Sequence, residues 1–347
     1  MSEVRVEPVL VAGGAGFLGS HLCDALLADG ARVICLDSLL TGRTDNIRHL
    51  DREPRFSFIQ ADVLDPKLGG LADNPPPFAA IYNLACAASP PRYQADPEHT
   101  LLTNVLGTRN LLALAERLSA RFVLASTSEV YGDPERHPQS EQYWGNVNPI
   151  GPRACYDEGK RAAETLTFDF VRAGRVAAGV ARIFNTYGPR MREDDGRVVS
   201  NVICQALEER PITIYGNGKQ TRSFCYVADL IDGLLEIERH ARQQPGPINL
   251  GNPNELTVGD LVERILEITG SRSRIIHQPL PVDDPQRRRP DISLARRVLN
   301  WEPTVPLETG LRSTIAWFET RVGLSGEGRP TKRRRMETDP ADLSAAE

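Results

Sequence analysis

The chain has 347 residues, 40 % hydrophobic and 25 % charged, with a formal net charge of −5, which suits two domains or one large domain with a lobe. The acidic balance argues against a diffuse nucleic-acid surface, while local arginines could still hold a small anion. No apolar run approaches the ~20 residues of a membrane span, and the start "MSEVRVEPVLVAGG" contains acids and runs straight into a strand, unlike a signal peptide. A cytoplasmic protein with neither membrane nor nucleic-acid partner is expected. Cys23, Cys35, Cys86, Cys155, Cys204 and Cys225 show no CxxC or CxxH pairing, so free thiols are expected rather than disulfides or a metal site.

In chain order, "PVLVAG", "RVICLD", "FSFIQAD", "AAIYNLA", "RFVLAST" and "VAAGVARIFN" read as strands. They are rich in Val, Ile, Leu and Phe with little polar alternation, as strands covered on both faces should be. Helical patterns fall between them, clearest at Thr100–Leu118 and Tyr156–Arg172. Strand–helix alternation predicts an α/β, Rossmann-like, doubly wound parallel sheet. After Asn185 the connectors become rich in Gly, Arg and Pro, and "LARRVLNWEPTVPLETGLRSTIAWFE" reads as two helices about a proline-marked turn. The expected division is a dinucleotide-binding domain at 1–185, rejoined by 224–251. A smaller α/β C-terminal substrate-binding lobe would comprise 186–223 and 252–322. Residues 323–347 read as a disordered tail, its KRRR run solvated rather than an address or a nucleic-acid patch.

Directly after the first strand, Gly13, Gly16 and Gly19 form GxxGxxG and open a helix. Glycine there lets backbone N–H groups approach a pyrophosphate at the helix N-terminus. The second strand ends in Asp37, 18 residues beyond Gly19, where a carboxylate accepts both ribose hydroxyls of NAD and repels the extra phosphate of NADP. Arg43 nearby keeps NADP as a minor alternative. Asp62 closes the third strand, where it could meet the adenine edge or simply cap a turn. Asn83, Leu84 and Ala85 end the fourth strand and could floor the cofactor cleft. Phe17, Leu18, Ser38, Leu40, Thr41, Gly42, Val63 and Thr103 complete the expected cofactor contacts.

"ACYDEGKRAAE" sets Tyr156 and Lys160 four residues apart on one helix face. A phenol titrates near about 10, and a nearby ammonium together with a cationic nicotinamide would favour its ionised form. Upstream, "LASTSEVYGDP" puts Ser126, Thr127, Ser128 and Glu129 at the mouth of an apolar strand.

The glycine turn, the Ser/Thr-rich strand end and YxxxK together resemble the extended short-chain dehydrogenase/reductase superfamily. Within it, "STSEVYGDPERHPQSEQYWGNVNPIGPRACYDEGKR", "ARIFNTYGPRM", "DDGRVVSN", "YGNGKQTRSFCYVADL", "NLGNP" and "DDPQRRRPDI" resemble the UDP-glucuronic acid decarboxylase family over roughly residues 8 to 320. The resemblance implies that Tyr156, assisted by Lys160, deprotonates the C4 hydroxyl of UDP-glucuronate while NAD takes the C4 hydride. The 4-ketone then lies β to the carboxylate, so carbon dioxide leaves. C5 is reprotonated and C4 is reduced again. Thr127 would bond the C4 oxygen, and Ser128 and Glu129 would lie by the carboxylate and C5. Related 4,6-dehydratases carry an aspartate at the place of Ser128 to expel a C6 hydroxyl. A second carboxylate beside a substrate acid would be repelled, whereas a hydroxyl can donate to it. The resemblance further implies that Arg288 reaches the active site and that Asn185 and Arg222 contact the diphosphate or nucleotide; Arg192, Arg197 and Tyr215 join them as substrate candidates.

The match departs at Leu102, where the family usually has a lysine that contacts substrate, and at Cys86, Asn83 and Ser38, where serine, histidine and asparagine are usual. The superfamily's four-helix interface implies a homodimer through Thr100–Leu118 and Tyr156–Arg172. Two rival readings stay open: another redox-neutral nucleotide-sugar enzyme (4-epimerase or 4,6-dehydratase), and a non-catalytic NAD-binding scaffold or sensor.

Overall fold

Each of the six apolar runs forms a strand in the computed structural model, which describes residues 7–243, 246–280 and 287–325. They are β1 (Val9–Ala12), β2 (Val33–Asp37), β3 (Phe56–Gln60), β4 (Ala80–Asn83), β5 (Arg121–Thr127) and β6 (Ala178–Ile183). Later strands are β7 (Thr186–Tyr187), β8 (Ile212–Tyr215), β9 (Thr221–Ser223), β10 (Cys225–Tyr226), β11 (Ile248–Leu250), β12 (Glu255–Thr257), β13 (Ile275–Gln278) and β14 (Arg287–Arg288). Among the described residues, seven strands form one parallel sheet in the order β11-β6-β5-β4-β1-β2-β3. The order reverses between β1 and β4, which opens a crevice at the carboxyl ends of those strands.

The helices are α1 (Phe17–Ala28), α2 (Pro90–Tyr93), α3 (Pro97–Leu102), α4 (Thr108–Leu118), α5 (Ala154–Arg172), α6 (Val198–Leu207), α7 (Val227–Arg239), α8 (Val258–Thr269), α9 (Ser293–Leu299) and α10 (Leu307–Ser325). A π-helical turn, Thr103–Gly107, joins α3 to α4. Successive β1 residues face opposite ways. Val9 and Val11 pack with α1, α7 and α9, while Leu10 and Ala12 pack with α4 and α5. Both faces are therefore covered, and the continuous apolar runs follow from that.

A third core joins α6, α8 and α10 through Val202, Ile203, Leu261, Ile265, Leu311 and Phe318. Beside it run the pair β8–β13 and the three-stranded sheet β12-β9-β14. α10 continues to Ser325, into the stretch read as tail, because "ETRVGLS" contains no proline to break the helix. The rest of that tail, with KRRR, lies outside the described residues. All six cysteines are free thiols. Among the described residues no helix is long and apolar enough to cross a membrane, and no group of three or more His, Cys, Asp and Glu could hold a metal.

Candidate active site

A cleft opens at the β1/β4 reversal and runs from the glycine turn to β14. Gly13, Gly16, Phe17, Leu18, Gly19, Asp37, Ser38, Leu40, Thr41, Asp62, Val63, Leu84, Ala85 and Thr103 line one end of it. The turn is cut to glycine. Gly13 has φ +80° and a side-chain carbon there would sit 2.7 Å from the Leu84 carbonyl; at Gly19 it would fall 2.1 Å from the Gly13 oxygen. α1 starts at Phe17 with no acidic residue in its first turn, so its amide end can receive an anion. These features fit a dinucleotide.

Asp37 Oδ2 accepts from the Ala15 amide at 2.9 Å and Oδ1 from the Leu39 amide at 2.8 Å. Burial nevertheless raises its pKa, against those backbone bonds. Gly42 lies behind Asp37 rather than in the cleft, since a side chain there would meet Oδ1 at 2.7 Å. Arg43 turns away to Glu193, at 2.6 Å, so its charge is already engaged where an NADP phosphate would need it. Asp62 accepts from the Leu64 amide at 2.8 Å and pairs with His99 at 2.9 Å, combining turn cap and cleft wall. Asn83 does not floor the cleft: it is buried, donating to Thr108 Oγ1 at 3.0 Å and accepting from the Ala85 amide at 3.2 Å.

At the other end β5 delivers Thr127, and a 3₁₀ turn, Ser128–Tyr131, follows. The Glu129 amide donates to Thr127 Oγ1 at 3.2 Å. α5 brings Tyr156, which hydrogen-bonds with Thr127, and Lys160, which donates to the Ala125 carbonyl at 2.8 Å and lies 5.9 Å from the Tyr156 ring centre. Burial pushes the phenol well up and the ammonium down. The expected lowering of the phenol by Lys160 is not seen in this state: desolvation leads, and Thr127 is the group that opposes it. Tyr93 stacks flat on Tyr156, centroids 4.9 Å apart. Ser126 serves the scaffold as well, donating to Glu164 at 2.5 Å, which in turn binds Arg182 at 2.7 Å.

Glu129 lies between two guanidiniums, with Arg153 at 3.0 Å and Arg288 at 3.5 Å. Burial raises its pKa, but Arg153 and Arg288 overcome this and hold it below the usual range. Strand parity selects Arg288 from the three adjacent arginines. On β14, paired Arg288↔Arg222 with β9, Arg287 is exposed and Arg288 buried. The Arg289 side chain, 42 % exposed, faces Glu255. Gln139 fixes this register, since its Oε1 accepts from the Arg289 amide at 2.8 Å while its own amide donates to the Arg289 carbonyl at 2.9 Å.

Asn185, Arg192 and Arg197 line the cleft. Tyr215 and Arg222 do not. On β8 the residues alternate, Ile212 and Ile214 inward and Tyr215 outward. Arg222 is buried behind β14 and donates to the Thr221 carbonyl at 2.8 Å. Leu102 ends α3 outside the lining, and the cleft instead holds Arg92 and Arg190, neither of which the sequence singled out. An ion-pair clasp joins two of the lining arginines: Asp194 binds both Arg92 and Arg192, the latter at 2.8 Å, beside the pair of Glu193 with Arg43. His99 also lines the cleft and was missed, and so were Arg153 and Asp157, which sit behind the lining beside Tyr156 and meet Glu129 only in the folded chain.

The NAD dependent epimerase/dehydratase family matches this chain over residues 9–251. UDP-glucuronic acid decarboxylase 1 of Arabidopsis thaliana is 51 % identical, over 92 % of this chain and 72 % of the relative. UDP-glucuronic acid decarboxylase 1 of Danio rerio is 51 % identical over 93 % of this chain and 75 % of its own length. Among solved structures, UDP-glucuronic acid 4-epimerase from Bacillus cereus, in complex with UDP-glucuronic acid and NAD, superposes with TM-score 0.77 and 29 % identity, covering 90 % of this chain and 99 % of that one.

Proposed function

The chain belongs to the NAD dependent epimerase/dehydratase family, and from that premise we propose that it decarboxylates UDP-glucuronate to UDP-xylose. One observation carries this reading: at the sugar end Arg153 and Arg288 flank a single ionised carboxylate, Glu129, while Asp157 is held up to about 8 and stays neutral. One positive charge is left over, matched to a substrate acid. Ser128, buried where a dehydratase would carry a second acid, adds a hydroxyl donor.

Residues 1–185 and 224–251 hold the dinucleotide, with the glycine turn on the pyrophosphate and Asp37 on the ribose. Residues 186–223 and 252–322 hold the nucleotide sugar, with Arg192 and Arg197, joined by Asn185 at the end of the 1–185 segment, toward its anionic part. Bound NAD supplies a hydride acceptor at C4 and afterwards the hydride donor. Tyr156 takes the C4 hydroxyl proton, with Thr127 bonding the same oxygen and Lys160 fixing the local field. Once C4 is a ketone, the C5–C6 bonding electrons pass into an enolate and carbon dioxide leaves. Ser128 and Arg288 hold the departing carboxylate as fixed donors.

Incubation with UDP-glucuronate, with and without added NAD, tests the reading through released carbon dioxide and UDP-xylose. UDP-galacturonate without gas would establish epimerisation instead, the activity for which the Bacillus cereus neighbour is named. A homodimer is proposed through the α3–α5 region, where Leu101 and Leu106 are exposed; a monomer mass in light scattering would refute it.

A further inference from the structure

Asp157 follows Tyr156 on the first turn of α5, yet it does not line the cleft. Only 7 % of it is exposed, and among the described residues no N–H or hydroxyl group reaches its buried Oδ1. Its neighbour is another acid, since the carboxyl of Glu129 lies within hydrogen-bonding reach of it. Such a bond requires a proton between them, since two carboxylates this close in a dry pocket do not both ionise. Burial and the charge of Glu129 push Asp157 up to about 8, while Arg153 and Arg288 act against it. Glu129 does line the cleft, so the pair has one member facing the sugar and one behind it.

We propose that Asp157 is a positioning residue that stores, through its bond to Glu129, the proton Glu129 delivers to C5 after carbon dioxide departs. The inference rests on the UDP-glucuronate reading and deepens it. At the start, two guanidiniums, one carboxylate and one neutral carboxyl leave a single positive charge, which the substrate carboxylate cancels. Loss of carbon dioxide moves that negative charge onto the enolate without changing the sum. Proton transfer then forms the C5–H bond from the enolate double-bond electrons and restores the C4 ketone. Both acids are now ionised between Arg153 and Arg288, and the sum is again zero. Departure of the uncharged sugar end and arrival of the next acid draw a proton from solvent and reload the pair. No step leaves an uncompensated charge in a pocket where one would be costly. A purely structural role, as an acid near the N-terminus of α5, would make no use of a second acid in contact.

Asp157→Asn keeps the size and the hydrogen bond to Glu129 but stores no proton. Production of UDP-xylose by the wild-type protein is established first; its failure would refute the function and leave the stored proton to be judged separately. That separate readout is infrared titration without substrate, with isotope-labelled aspartate. A protonated carboxyl band should persist at neutral pH, vanish in Asp157→Asn and titrate near about 8. A wild-type spectrum without the band overturns the proposal whatever the variants do. With substrate, Asp157→Asn should still release up to one carbon dioxide per bound NAD, leaving NADH on the protein and a ketopentose nucleotide in solution, while UDP-xylose formation falls at least tenfold and KM stays nearly constant. Asp157→Glu should restore most of the product. The wild-type rate should fall above about 8, and the variant should lack that limb. Glu129, Arg153, Arg288, Tyr93, Tyr156, Cys155 and Arg197 also border this cluster and remain unchanged in the comparison. Wild-type product ratios with an unaltered profile in Asp157→Asn would overturn the proposal.

Discussion

The two ends of the cleft are built by different means. The dinucleotide end comes from consecutive segments (the turn after β1 and the ends of β2, β3 and β4) and presents mainly backbone, shaped by Gly13 and Gly19. The sugar end draws Glu129, Arg153, Asp157, Arg197 and Arg288 from segments far apart in the chain, and it works through charged side chains in a desolvated setting. Backbone recognition demands particular residues at fixed spacing. A charge network asks only that the sum be right in space.

That contrast can be broken by substitution. Tyr156→Phe removes the proposed proton acceptor at C4 and should lower turnover by about 10³, while nucleotide released on denaturation shows nearly unchanged NAD content. Loss of NAD together with activity would show that the two ends are not separable. Gly19→Ala puts a methyl group 2.1 Å from the Gly13 oxygen, and NAD affinity by calorimetry should weaken about a hundredfold, ~2.7 kcal/mol, with UDP affinity little altered.

A pH comparison sharpens the sugar end. Asp157 has a folded pKa raised above its unfolded value, so the folded chain binds this proton where the unfolded chain has lost it. The corresponding stability is fully present below the ordinary carboxylate range and is lost as pH rises through about 8. Thermal unfolding of the wild type should therefore decline more between about pH 5 and about pH 8.5 than that of Asp157→Asn. Parallel curves would refute the sign. The smallest effect is expected at the clasp. Asp194 is half-exposed and its ion pairs are screened, so Asp194→Asn should quicken NAD dissociation a few-fold at low salt and hardly at all at high salt.

The sheet, its helices and the glycine turn were legible because each is a local pattern: two-face burial in β1, an acid at the end of β2, a Tyr–Lys pair on one turn spacing of α5. Tyr215, Arg222, Asn83 and Gly42 were assigned to the cleft from their place in motifs, and strand alternation or a neighbouring side chain turns each of them elsewhere. Arg153 and Asp157 lie within the same motif as Tyr156, yet their role depends on Glu129, which only the fold brings beside them. Arg92 was invisible for a similar reason, since its partner Asp194 is 102 positions away.

Gln139 shows how far the chemistry can depend on a residue that performs none of it. By gripping Arg289 on both its amide and its carbonyl, it sets the parity of a strand only two residues long. A slip of one position would leave the arginine count untouched and still exchange the inward cation for an outward one. Which arginine faces Glu129 is therefore decided by an amide some 150 positions earlier, and inheritance of the proposed activity among similar chains should follow that amide as closely as the arginines themselves.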